Sequence, residues 1–158
     1  MSAVTLRAMD AASFAAFQAW STPAYAASNI KSGRWTEAEA PAKAQAQVAQ
    51  LLPQGRETPN HHFFDVIDTA GAAVGVLWFA LNPGLAGAQA WVYEIMIQPQ
   101  YRGQGLGRAT MQAFEAEARN LGATSLGLNV FGYNEPALAL YRSLGFLPTA
   151  IQMAKQLA

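Results

Sequence analysis

The sequence predicts a mixed α/β sheet, mostly antiparallel, with helices on both faces. Three observations carry that prediction. HHFFDVID, AAVGVLWFAL and WVYEIMIQP are β-branched and aromatic runs separated by TAG and NPGLAG, which read as turns between consecutive antiparallel strands. Met111, Phe114, Ala118 and Leu121 then recur at helical spacing. SLGLNVF returns to a strand pattern ahead of a further helix, so strands and helices alternate in the last third of the chain.

Each element has its own signal. VTLRAM alternates apolar and polar residues as a short first strand, and Asp10 stands where a helix N-cap belongs. From there to about Ser32 the chain is rich in alanine and aromatics, and Pro23 divides it into helix, break, helix. Thr36 to Leu52 is a second alanine-rich helix, with Pro41 either in its first turns or at its start. PQGRETPN is a loop. The third strand ends at Pro99, the next helix starts near Leu106, and Gly122 is its C-cap. Asn134 can cap a helix that carries Pro136 in its first turn and runs to Leu144, where Gly145 ends it. FLPTAIQMAKQL closes the chain as one or two short strands. No repeat, low-complexity tract or linker divides this order, so residues 1–158 read as one domain.

With 52% hydrophobic and 13% charged residues, against a usual charged share of about 25%, the chain folds rather than staying disordered. Ten acidic and ten basic residues cancel without forming runs, which argues against nucleic acid or an anionic membrane as partner. The absence of cysteine removes disulfides, thiolate chemistry and cysteine metal sites. His61 and His62 are adjacent on a strand and so point to opposite faces, and with no third histidine no metal is expected. MSAVTLRAMD lacks the pattern of a signal peptide and no apolar run reaches membrane-spanning length, so a cytoplasmic protein is expected. A homodimer is as compatible with these features as a monomer.

The stretch YRGQGLGR places glycine at 103, 105 and 107, between a strand and an amphipathic helix. Amides at a helix N-terminus have no internal partner and sit at the positive end of the dipole, so they can cradle phosphate oxygens, and glycines let them converge. The alternative is a strand-to-helix turn with no ligand. A mononucleotide P-loop requires a lysine that is missing here. The dinucleotide fingerprint fails because Arg108 and Thr110 stand where glycine is needed.

Arg102-x-x-Gly105-x-Gly107, at the end of a strand and ahead of a helix, is similar to the pyrophosphate-binding motif of the GNAT superfamily of acetyl-CoA-dependent N-acetyltransferases. LGLNVFGYNEPALALYRSLGF resembles that family's second signature: a strand, an asparagine, a tyrosine two helical turns later, then Leu-Gly-Phe. The resemblance is strong from Val92 to Phe146 and follows the element order of the whole chain. It implies a GNAT-like fold with splayed strands and transfer of acetyl from acetyl-CoA to the amine of a small molecule or peptide. The pantetheine would pair with the backbone of Ile95, Met96 and Ile97, and the pyrophosphate would sit on the amides of Gly103, Gln104, Gly105, Leu106, Gly107 and Arg108. Arg102 and Arg108 would add charge, although each reads equally as a solvated surface residue. Asn134 would add a side-chain hydrogen bond to the cofactor, or act only as a cap.

The chemistry assigns two further roles. An amine that attacks a thioester expels a thiolate, and a phenol of pKa about 10 stays protonated at neutral pH and can donate to it. Tyr141 is the candidate acid. The amine must also lose a proton, and Glu94 is the only charged side chain in WVYEIMI. Strand alternation puts it with Val92 and Met96, opposite Tyr93 and Ile95, where desolvation would raise its pKa toward that of a useful base. The alternative is a glutamate at the edge of the core bonded to an arginine. In the branch of the family that acetylates ribosomal-protein N-termini a glutamate base occupies the position of Asn129, so that substrate does not transfer simply. Without cysteine a cysteinyl-thioester route is closed, which leaves direct transfer in a ternary complex. Trp20 and Trp35 lie in the helical region that walls the acceptor cleft in the family and suit an apolar acceptor, or are core packing. A non-catalytic acyl-CoA-binding module on the same fold is the competing reading.

Overall fold

The computed structural model describes residues 3–158, so Met1 and Ser2, the start of the segment read for a targeting signal, lie outside the described residues. The elements are β1 (Val4–Ala8), α1 (Ala11–Lys31), α2 (Ala40–Leu51), β2 (His61–Asp68), β3 (Ala73–Asn82), β4 (Ala88–Ile97), α3 (Leu106–Asn120), β5 (Ala123–Leu128) and α4 (Glu135–Ser143). The five strands form one sheet in the order β1-β2-β3-β4-β5. The first four run antiparallel and β5 runs parallel to β4, because α3 carries the chain back across the sheet between them. Among the described residues no helix is long and apolar enough to cross a membrane.

Helices cover both faces, as the patterning predicts. On one face Met111, Phe114 and Ala118 of α3 meet Leu77, Phe79 and Val92 of the sheet, with the rings of Phe79 and Phe114 4.9 Å apart. Each fully buried phenylalanine contributes about 1.5–3 kcal/mol relative to exposure. Leu121 departs from this stripe: it is 38% exposed beyond the end of α3, while Gly122 takes a φ of 92° that ends the helix. On the other face Phe14 and Phe17 of α1 and Leu52 at the end of α2 pack with Phe63 and Trp78 as an aromatic layer.

Local chemistry sets the helix ends. Asp10 Oδ1 accepts from the Ser13 amide at 2.8 Å, Asn134 Oδ1 accepts from the Ala137 amide at 3.3 Å, and Thr36 and Glu39 exchange a reciprocal pair ahead of Pro41. Pro23 does not break α1, which runs unbroken through it. Proline removes one donor and crowds one carbonyl, at about 3 kcal/mol. Burial on both flanks offsets that cost: Phe14 and Phe17 pack on the sheet, and Ala26 on Ala40 and Ala44 of α2.

Two further expectations are corrected. β5 stops at Leu128 instead of running to Phe131, since its pairing with β4 ends at Val92–Leu128. FLPTAIQMAKQL forms no strand, and residues 147–158 are exposed without regular structure. A strand needs a neighbour for its amides and carbonyls, and none adjoins this segment among the described residues.

Candidate functional site

The site is built on a difference between the two edges of β4. Toward β3 the strand is paired along most of its length, from Asn82–Gln89 to Gly75–Ile97. Toward β5 the pairing runs only from Ala88 to Val92. Beyond Val92 the strands separate, and among the described residues no strand lies beside the stretch of β4 that holds Ile95, Met96 and Ile97. Gln98 N–H pairs across to Val74, so by alternation Met96 also turns its backbone to β3, while Ile95 and Ile97 turn theirs to the open edge, where they can meet a ligand that carries amides of its own.

A bulge marks the point of separation. Trp78 faces Glu94 and Phe79 faces Val92, so Tyr93 is the extra residue. Its consequence is a correction to the expected alternation. Val92, Ile95 and Ile97 pack with the α3 face, whereas Tyr93 and Met96 pack on the aromatic layer. Counting back from Ile95 and Met96 puts Glu94 on the aromatic side with Met96 and Tyr93, not with Val92. Beneath it, Trp78 stacks on Tyr93 at 4.8 Å, and Trp78 Nε1–H donates to His61 Nδ1 at 3.0 Å. His61 stacks on Phe63 and His62 on Phe79, so the two histidines do occupy opposite faces.

The glycine turn then delivers the N-terminus of α3. Gly103 and Gly105 take φ of 77° and 80°, left-handed conformations that glycine adopts without a Cβ penalty. Gly105 is the N-cap, so it offers no side chain to the first turn, and the first helical bond is from the Ala109 amide to the Gly105 carbonyl. The amides of Leu106, Gly107 and Arg108 therefore have no partner one turn back within the helix and can face an anion. Gly107 has no need of positive φ; a β-carbon there would stand 3.5 Å from Leu140 Cδ2, in the gap between α3 and α4.

These features meet in one cleft of about 460 Å³, lined by Ile95, Met96, Ile97, Arg102, Gly103, Gly105, Leu106, Gly107, Asn134 and Tyr141. Tyr101, Pro136, Ala137 and Leu140 complete the lining and escape sequence reading, because only their place on the elements brings them there. Gly75 is also missed, although a glycine inside a strand pattern signals close backbone approach: a β-carbon there would overlap the Met96 carbonyl.

Gln104, Arg108 and Glu94 do not line the cleft. Gln104 is exposed at the tip of the turn. Arg108 Nη2 donates to Ser143 Oγ at 2.7 Å and ties α3 to α4. Arg102 folds back, its Nε donating to the Ile97 carbonyl at 2.8 Å, so it braces the end of β4 and uses one acceptor of the open edge. Asn134 commits its side-chain oxygen to capping α4 and keeps Nδ2 as a donor. Trp20 and Trp35 are not brought together. Trp20 packs on Phe17 at 5.4 Å, while Trp35 is buried against Tyr25 at the α1–α2 turn.

The electrostatics couple the two candidate catalytic groups. Burial pushes the Glu94 carboxyl up to about 7. Burial also raises the Tyr141 phenol, and the charge of Glu94 raises it further. Glu94 shares the aromatic side of the sheet with Met96, whereas Tyr141, on α4, packs with the core on the α3 side. A carboxyl that ionises near neutrality and a phenol that stays protonated there are in the states that a base and an acid require.

The chain matches the Acetyltransferase (GNAT) family over residues 16–146. It belongs to the GNAT acetyltransferases. It is 37% identical to the uncharacterised N-acetyltransferase YdgE of Bacillus subtilis strain 168, over 98% of this chain and 99% of the relative. It is 31% identical to a second uncharacterised N-acetyltransferase of that organism, YycN, over 98% of this chain and 99% of YycN. A crystal structure of YycN superposes with a TM-score of 0.94 over 98% of this chain and 99% of that one. The [ribosomal protein bS18]-alanine N-acetyltransferase of Escherichia coli K12 is 39% identical over 64 residues, covering 40% of this chain and 43% of that enzyme. The GNAT domain, the mixed open sheet and the acyltransferase class expected from the two signatures are thus those of this chain.

Proposed function

We propose that this acetyltransferase moves the acetyl group of acetyl-CoA directly onto the amine of a small molecule or peptide, with both substrates bound together. The observation that carries this reading is the meeting, in and beside one cleft, of an unpaired strand edge, an uncapped helix N-terminus and a coupled carboxyl and phenol. The donor set suits coenzyme A. The outward backbone groups of Ile95 and Ile97, beside Met96, match the amides of pantetheine, the α3 amides and Asn134 Nδ2 match a diphosphate, and the missing side chain of Gly107 leaves room between α3 and α4.

Glu94 takes the proton of the incoming ammonium, directly or through a water, and Tyr141 donates to the departing sulfur, so the thiol leaves neutral. The aromatic floor beside Glu94, formed by Tyr93, Trp78 and His61, faces the acceptor side. His61 stays neutral there, because burial and the neighbouring His62 lower its pKa, so this wall adds no positive charge to repel an ammonium. The relative that acetylates bS18 does not fix the acceptor, since Asn129 stands where that branch places a glutamate.

Release of free thiol from acetyl-CoA against a panel of aminoglycosides, polyamines, amino acids and N-terminal peptides tests the proposal. Thiol formation that collapses in Tyr141→Phe, with a product heavier by one acetyl on nitrogen, is the expected result. A melting shift with acetyl-CoA and no thiol release for any amine would mark a binding module instead.

A further inference from the structure

We infer that residues 149–158 are a strand that this chain lends to a second copy of itself, pairing along the free edge of β5. The sequence from Ile151 alternates: Ile151, Met153 and Leu157 fall on one side, with Lys155, and Gln152, Ala154 and Gln156 on the other. After Pro148 there is no glycine, proline, asparagine, aspartate or serine to turn the chain, so residues 149–158 read as one strand and not a hairpin.

Within one chain this strand has no partner. Leu147, Ile151, Met153 and Leu157 are 81%, 76%, 86% and 86% exposed. Among the described residues, none of 147–158 makes a hydrogen bond or ion pair. The arm leaves the body at Phe146, whose amide donates to the Tyr141 carbonyl at 3.0 Å and whose ring packs on Tyr141. Pro148 follows, and with its φ locked and no N–H it keeps α4 from resuming.

The same molecule carries a matching vacancy. β5 is an edge strand, and its outer backbone has no strand beside it among the described residues. Leu126 and Leu128 pack on the main core beneath that edge. Ten extended residues reach about 33 Å, more than enough to cover the six of β5. An open edge and an unpaired amphipathic strand on one chain, held apart within that chain, complete each other when two chains exchange arms about a two-fold axis.

Sedimentation velocity on the full chain should give twice the chain mass. Truncation after Pro148, and separately Met153→Pro, which removes a ladder donor, should each give a monomer that keeps the native circular dichroism spectrum and the acetyl-CoA melting shift. Because the chain has no cysteine, Ser125→Cys chains mixed with Gln152→Cys or Met153→Cys chains report the contact directly. A disulfide joining two chains supports arm exchange. A monomeric full chain, a dimer that survives loss of the arm, or a Ser125→Cys/Gln152→Cys double variant that closes its disulfide within one chain overturns it.

Discussion

The two halves of β4 have similar apolar sequences and share β3 as a neighbour, yet one is closed on both edges and the other opens onto the cleft. AQAWV is flanked on both edges, by β3 and by β5, and its Ala90 and Val92 are buried in the main core. YEIMI has β3 alone, because the bulge at Tyr93 turns the strand as β5 leaves the sheet. Composition does not distinguish them; the loss of one neighbour does. An unpaired backbone edge is a cost in a sheet and a recognition surface in an enzyme, which is why the catalytic candidates cluster beside the second half only.

The largest expected effect lies on the open side of that comparison. Tyr141→Phe should lower kcat by about 10²–10⁴-fold, the range for a general acid, while the melting shift with acetyl-CoA persists. Equal losses in kcat and acetyl-CoA affinity would reduce Tyr141 to a wall of the cleft.

Glu94→Gln should follow, with a loss of about 10²-fold and removal of an inflection near pH 7 in kcat/KM. The same carboxyl makes a stability prediction. Its folded pKa is raised, so the unfolded chain releases the proton first and stability falls as pH rises from about 4.5 to about 7. Denaturant melts of wild type and Glu94→Gln should therefore diverge across that window, the variant being the more stable by up to about 3 kcal/mol above it. Parallel pH curves would remove the basis for Glu94 as a base tuned to neutrality.

Val92→Ala probes the paired half and should behave in the opposite way. It should cost about 2 kcal/mol of stability through an unfilled volume next to Phe79 and Phe114, with acetyl-CoA affinity unchanged for the folded fraction. The smallest effect on stability is expected for Gly107→Ala. Its backbone is ordinary helix, so alanine should stabilise α3 by about 0.5–1 kcal/mol, yet acetyl-CoA should bind more weakly because the new methyl narrows the gap to Leu140. Calorimetric titration beside thermal melts separates the two effects.

The element order, the caps at Asp10 and Asn134 and the lining role of the glycine turn were legible because each depends on neighbours in sequence. What was illegible depends on neighbours in space. Nothing in WVYEIMI marks Tyr93 as the residue that β3 skips, so strict alternation misassigned the face of Glu94 relative to Val92. Pro23 reads as a breaker until the packing on both sides of it is seen. Arg108 carries a charge at the right distance along the chain from the turn, but Ser143 on α4 holds it elsewhere. FLPTAIQMAKQL has a strand's pattern without a strand's neighbour, a distinction that no single chain's sequence contains.

The central claim is that the open half of β4 and the first turn of α3 hold coenzyme A through backbone groups. Amide hydrogen exchange with and without acetyl-CoA tests it most directly. Exchange should slow at residues 95 and 97 and across the first turn of α3, at 106–108, and stay unchanged at 88–92. Protection that appears only elsewhere in the chain, or nowhere, would contradict it.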